Sequence, residues 1–158
     1  MTILGIDPGT ATTGFGVIRK VKSGTFEVLD FGIISTAKNL HDAQRLAIVA
    51  HDINLLIKKY KPDLAGVEKI YFTTNQKTVI TVAQARGVAL LTLQEHKIPI
   101  HEYTPLQVKS TICGYGKADK KQVQYMVQKT FQLKTIPKPD DAADALAIAL
   151  CTAFSKRQ

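Results

Sequence analysis

The chain has 158 residues, 45% hydrophobic and 22% charged, a globular composition that excludes a disordered or fibrous polypeptide. Lysine and arginine outnumber aspartate and glutamate 21 to 13, a net charge of +8 that favours a polyanionic partner and is silent on fold. This length fits one domain, residues 1–158, and with no leading apolar segment and no long uncharged run a cytoplasmic protein with no membrane contact is expected.

Residues Ile3 to Ile18 read as strand, tight turn, strand. Ile3, Leu4 and Ile6 are strand formers, Pro8 and Gly9 turn the chain, and Phe15, Val17 and Ile18 resume the pattern, with Gly14 and Gly16 letting other backbone approach. Period two places Ile3, Gly5 and Asp7 on one face and Leu4 and Ile6 on the other. Asp7 thus ends an apolar strand on the face where a sheet normally carries a helix. By itself Asp-Pro-Gly is ordinary turn chemistry; the acids further along give Asp7 a second meaning.

Phe26 to Ser35 completes an antiparallel meander. Ala43, Leu46, Ala47, Ala50, Ile53, Ile57 and Tyr60 recur at three- and four-residue spacing, which predicts a helix closed by Pro62. Asp63 to Ile70 reads as a short strand covered on both faces. A polar loop over Thr73–Lys77 precedes a helix from Thr78 to His96. That helix is apolar almost all round, so it must bury two sides, one of them against a partner subunit. Ile98 to Tyr103 is a further strand and Thr104 to Ile112 a short helix with Pro105 in its first turn. After a basic loop, Asp119 caps a helix with Gln122 three positions on and Val123, Met126, Val127 and Phe131 as its stripe. The last helix runs from Asp140 or Asp141 to about Phe154, and the tail to Gln158 is expected to fray. Cys113 and Cys151 form no Cys-x-x-Cys pair and are expected to be buried, reduced thiols. The element order describes a mixed five-stranded sheet, three strands antiparallel and two parallel, with helices on both faces.

Three settings put carboxylates where apolar residues belong. Asp141 and Asp144 are three apart at the start of an Ala-rich helix. Acids there complement the helix dipole, which accounts for Asp140 and Asp141; Asp144 shares a face with Ala145 and Ile148 and needs a partner. Glu68 stands in an apolar strand where Lys69 points to the opposite face. If that strand lies beside the first, Asp7 and Glu68 end on one face. Four carboxylates converging without compensating bases repel, and such oxygen-rich sites suit hard divalent cations. No Cys/His cluster supports zinc. Lys109, Lys117, Lys120 and Lys121 gather about a Gly-Tyr-Gly loop, where they can grip phosphates, although each alone reads as a solvated side chain. Tyr71 and Phe72 follow Glu68 into a polar loop, with Asn75 and Arg86 as nearby polar candidates for nucleic-acid contact.

Taken in order, Gly5-Ile-Asp-Pro-Gly-Thr10, Thr13-Gly-Phe-Gly16, Val67-Glu68, Gln84-Ala-Arg-Gly87, Gln107-Val-Lys109, Lys121-Gln-Val-Gln124 and Asp141-Ala-Ala-Asp-Ala-Leu146 resemble the RuvC-type Holliday junction resolvases over nearly the whole chain. The resemblance implies an RNase H-like three-layer α/β/α fold, a homodimer, and resolution of four-way DNA junctions by paired, symmetric nicks that leave 5′-phosphate ends. It implies that Asp7, Glu68, Asp141 and Asp144 bind two Mg²⁺ ions, with Mn²⁺ able to substitute. It further implies that Lys109 and Lys120 contact phosphates, that Tyr71, with Phe72 beside it, acts on bases at the crossover, and that a RuvA–RuvB branch-migration complex is a partner. Two other readings share parts of the pattern. An actin- or sugar-kinase-type ATP-binding domain opens on a similar hairpin but needs two lobes. A non-catalytic DNA-binding or RNA-processing relative would keep the fold.

Overall fold

A computed structural model describes residues 1–22, 24–70 and 76–155, with backbone only for 76–78. The opening meander is β1 (Thr2–Asp7), β2 (Thr12–Lys22) and β3 (Thr25–Ser35), followed by α1 (Asp42–Tyr60), β4 (Leu64–Glu68), α2 (Gln76–Glu95) and β5 (Ile100–Tyr103). Three helices close the chain: α3 (Pro105–Cys113), α4 (Lys120–Thr130) and α5 (Asp140–Ser155). The strands form one sheet in the order β3-β2-β1-β4-β5, antiparallel through the meander and parallel from β1 to β4 to β5. This is the expected mixed sheet with helices on both faces.

The alternation in β1 sorts the core. Ile3 packs with α3, α4 and α5 on one face, while Leu4 and Ile6 pack with α1 and α2 on the other. The α5 face is nearly bare of side chains in the middle: Gly5 lies opposite Gly16 on β2 and Gly66 on β4, and Asp7 lies opposite Gly14. A Cβ on Gly5 would come within 2.1 Å of the Ala145 carbonyl oxygen, and one on Gly14 within 2.1 Å of that of Asp141. These glycines are therefore needed for close approach. The facing side of α5 is matched to them: Ala142, Ala145 and Ala149 are wholly buried. Small residues on both sides let helix and sheet backbones meet, and this brings the start of α5 over the end of β1.

Some boundaries and faces differ from expectation. β4 ends at Glu68, and α2 begins at Gln76 rather than Thr78. In α1 the buried residues are Val49, Ile53 and Ile57, whereas Ala43 and Ala47 are exposed. The helix has rotated to seat its larger side chains, which remove more apolar area from water than alanine does. Gln124 joins Val123 and Val127 on the buried side of α4. Cys151 is buried as expected, but Cys113, at the end of α3, is only partly so. Of the tail Ser155–Gln158 predicted to fray, Ser155 still belongs to α5 and 156–158 lie outside the described residues. Among the described residues, no helix is long and apolar enough to cross a membrane.

Candidate active site

β1 and β4 run in parallel with Ile6 opposite Val67, so the next residues, Asp7 and Glu68, end neighbouring strands about one inter-strand spacing (~4.8 Å) apart. From above, α5 contributes Asp141 and Asp144, one helical turn apart at its first turns. One carboxylate oxygen from each of Asp7, Asp141 and Asp144 lies within 4.8 Å of the others, all three residues being half-buried. Glu68 adjoins them through a hydrogen bond with Asp7. The four acids expected from sequence are thus brought together from three remote segments.

The electrostatics follow from this crowding. Burial, then the charges of Glu68, Asp144 and Asp141, push Asp7 up to about 8 against the opposing pull of Lys120. Burial and then Asp144 push Glu68 up to about 7, partly offset by its hydrogen bond with Asp7 and the charges of Lys109 and Lys120. Burial also raises Asp144, opposed by Lys120. Carboxyls that hold protons near neutrality because burial and one another's charges disfavour ionisation form a place where a cation would be favourable. The donors are all carboxylate oxygens, which fits Mg²⁺- or Mn²⁺-type ions and not zinc.

Compensation is nevertheless present, contrary to the expectation of an unbalanced cluster. Lys120 Nζ lies 3.0 Å from Asp144 Oδ2 and 3.5 Å from Asp140 Oδ2. A reciprocal capping box, Asp119 Oδ1 accepting from Gln122 N and Gln122 Oε1 accepting from Asp119 N, each at 2.8 Å, fixes the start of α4 and with it the position of Lys120. Lys109 of α3 joins Glu68, Lys120 and Asp144 around a crevice of ≈ 230 Å³ floored by Pro105, Val108, Val123 and Ala147. The ammonium groups of Lys109 and Lys120 make this crevice able to hold a phosphodiester beside the acids.

Lys117 and Lys121 are exposed, on the α3–α4 loop and the first turn of α4. Arg86, a candidate for nucleic-acid contact, is tied within the chain. Its Nε donates to the Glu68 carbonyl oxygen at 3.1 Å, and its guanidinium pairs with Glu102 of β5. It braces the end of the strand that carries Glu68. Tyr71, Phe72 and Asn75 lie outside the described residues.

Sequence reasoning missed the threonines of the first turn. Thr12 Oγ1 donates to Asp141 Oδ2 at 2.8 Å, Thr13 Oγ1 to the Gly9 carbonyl at 2.6 Å, and Thr10 Oγ1 to the Thr81 carbonyl of α2 at 2.5 Å. The run of hydroxyls right after Asp7-Pro-Gly was the available signal, since such side chains bond nearby backbone in turns.

A family model described as "Crossover junction endodeoxyribonuclease RuvC" matches residues 3–152. A protein of that name from Syntrophomonas wolfei is 52% identical over 157 residues, covering 99% of this chain and 91% of its own. Another, from Fusobacterium nucleatum, is 52% identical over 150 residues, covering 95% and 78%. Among solved structures, Thermus thermophilus RuvC in complex with a Holliday junction substrate superposes with a TM-score of 0.93 at 31% identity, covering 99% of this chain and 95% of that one.

Proposed function

The chain belongs to the RuvC family of crossover junction endodeoxyribonucleases, and from that premise we propose how its own residues resolve a Holliday junction. It is a nuclease acting in DNA recombination and repair. The observation that carries the reading is the convergence of Asp7, Asp141 and Asp144 beside Glu68 at the mouth of a lysine-walled crevice.

In this reading Asp7, Glu68, Asp141 and Asp144 would hold two Mg²⁺ ions, for which Mn²⁺ could substitute. When bound, such ions supply an activated water and stabilise the leaving oxygen of an in-line displacement at phosphorus. Everything else falls to the chain. Lys109 and Lys120 line the crevice, where they would bind the scissile phosphate. Thr12 holds the Asp141 carboxylate in one orientation. Arg86 fixes the end of β4, and so Glu68, by gripping its carbonyl. Lys117 and Lys121 add backbone affinity, and Tyr71 with Phe72 and Asn75 engages bases at the crossover, as the family resemblance implies.

The active form is a two-fold homodimer, in which two identical sites face the two equivalent strands of a junction. Its interface is the outer side of α2, where Ile80 and Leu91 are 67% and 61% exposed. The reading further includes one domain over residues 1–158, a cytoplasmic setting and a RuvA–RuvB complex as partner.

The test is incubation of the purified protein with a mobile four-way junction and Mg²⁺. Paired nicks at symmetric positions with 5′-phosphate ends are expected, and Asp7→Asn is expected to lose cleavage by at least ~10³-fold while still binding the junction. An intact junction across metals and salt concentrations, or an Asp7→Asn protein that cuts at the normal rate, overturns the proposal.

A further inference from the structure

The basic charge of the chain is concentrated in one part of the fold. Residues 103–139, covering α3, α4 and the segments around them, carry seven lysines and a single acid, Asp119, so +6 of the total +8 lies there. The remaining 121 residues share only +2. That single acid is already committed to capping α4. Lys109 and Lys120 serve the crevice, but most of this charge faces elsewhere.

On the outer side of α4, Lys121, Tyr125 and Lys129 stand at i, i+4 and i+8, all exposed, while Val123 and Val127 are buried on the opposite side. Lys129 Nζ lies 5.5 Å from the centre of the Tyr125 ring, and Tyr125 is half exposed at 51%. The ring separates two shallow hollows. One is bounded by Tyr115, Asp119, Lys121 and Gln122, the other by Gln128, Lys129 and Gln132. Amides, phenols and ammonium groups are the donors that contact phosphate and sugar; the Asp119 carboxylate at the near end is taken up in capping α4, and no other carboxylate follows in the chain before Asp140.

The stripe also has a direction. Lys120, the residue before it, has its ammonium 3.0 Å from Asp144 in the acid cluster. At 1.5 Å per residue, Lys129 lies about 12 Å beyond Lys121 along the α4 axis, the rise of three to four base pairs. From this placement we infer that the outer side of α4 is a second DNA-binding track, taking the phosphate backbone of a duplex arm as it leaves the crossover. The inference rests on the proposed function and extends it from the cut site to the flanking duplex. Lys121 and Lys129 bind phosphates of the arm, and Tyr125 lies between them against the sugar-phosphate chain. Such contacts carry no base sequence and add affinity that falls with salt.

The test is junction binding by the full-length protein in Ca²⁺ without Mg²⁺, followed by fluorescence anisotropy over a range of salt. Neutralising two phosphate contacts in Lys121→Gln/Lys129→Gln should lower the slope of log K against log salt by about 1.8, and Lys129→Gln alone by about 0.9. Tyr125→Ala should weaken binding several-fold. A junction with neutral methylphosphonate linkages two to six nucleotides from the crossover should bind wild type and the double variant equally. Melting temperatures report whether the variants fold. An unchanged slope in a folded double variant overturns the track and points to an acidic protein partner for this face; an equal loss on the methylphosphonate junction overturns it too, because the two lysines then contact phosphates elsewhere on the junction. Wild type that neither binds nor cuts the junction overturns the underlying function as well, so the two failures are distinguishable.

Discussion

The Asp7 carboxyl sits near 8 and the Glu68 carboxyl near 7 because burial and neighbouring acids disfavour their charged forms. Unfolded, both would titrate near their ordinary values of ~4. Between about pH 4 and pH 8 the metal-free folded protein therefore binds more protons than the unfolded chain, and its stability falls as pH rises through that window. Below the window both states are protonated and nothing is lost. Above it the loss is complete. Metal-free protein should lose at least ~2 kcal/mol from this cluster between pH 5 and pH 8, and Mg²⁺ should restore it by binding the ionised acids. Asp7→Asn should flatten the profile, raise the metal-free melting temperature at pH 8 and shrink the Mg²⁺ shift. Thermal melts in EDTA and in Mg²⁺ across this range decide it, and metal-free stability that rises toward pH 8 would mean that Lys120 already balances the cluster. Glu68 and Asp144 were legible because each stood in an apolar setting that its neighbours could not excuse; Asp7 and Asp141, which turn chemistry and the helix dipole cover on their own, were drawn in by those two and by the family resemblance. The Thr12–Asp141 hydrogen bond and the Lys120–Asp144 ion pair were not legible, because the partners lie 129 and 24 residues apart and no local spacing encodes such a meeting.

Hydrophobic period and turn chemistry act over a few residues, which is why the order and type of every described element could be read from the chain. How closely the elements approach is decided across the sheet, and there the reading stopped short. Gly5, Gly14, Gly16 and Gly66 leave a furrow that α5 occupies, and that seating sets Asp141 and Asp144 over Asp7. At Gly5 the obstacle to a methyl group is the Ala145 carbonyl and the Ala149 amide, both backbone, so no rotamer change relieves it. Gly5→Ala must lift α5 or distort β1. Overpacking of this kind costs about 1–3 kcal/mol and here should reach the upper end. The same shift should separate the helix-borne acids from the strand-borne ones, weakening Mn²⁺ binding by at least ~10-fold in the molecules that still fold. Urea denaturation and Mn²⁺ titration by electron paramagnetic resonance measure the two effects. Full metal affinity in a destabilised Gly5→Ala protein would show that α5 holds the acids in place without the close contact. The α1 stripe gives the same lesson: spacing alone admitted Ala43 and Ala47, and packing chose the larger Val49, Ile53 and Ile57.

The two sides of the sheet divide the work of the molecule. One carries the acids, the crevice and the concentrated lysines of α3 and α4; the other carries α1 and α2, in a part of the chain with little net charge. α2 buries Ala85, Ala89 and Leu93 inward and exposes Ile80, Ala83, Gly87 and Leu91 at spacings of three, four and four, a second apolar stripe on the same helix. A Cβ at Gly87 would touch nothing within 4 Å, so the middle of that stripe is open to another backbone. Two copies of such a stripe, large residues at its ends and small ones between, can pack against each other about a two-fold axis. Ile80→Glu/Leu91→Glu places like charges in that contact without touching the core, since both side chains are more than 60% exposed. The double variant should unfold in one cooperative transition, yet elute and scatter light as a monomer where the wild type is expected to behave as a dimer. Its junction products should shift from paired cuts to single nicks, because one protomer brings only one site to the crossover. If the variant remains dimeric and cuts both strands, the subunits meet through another face and the second stripe of α2 has a different occupant.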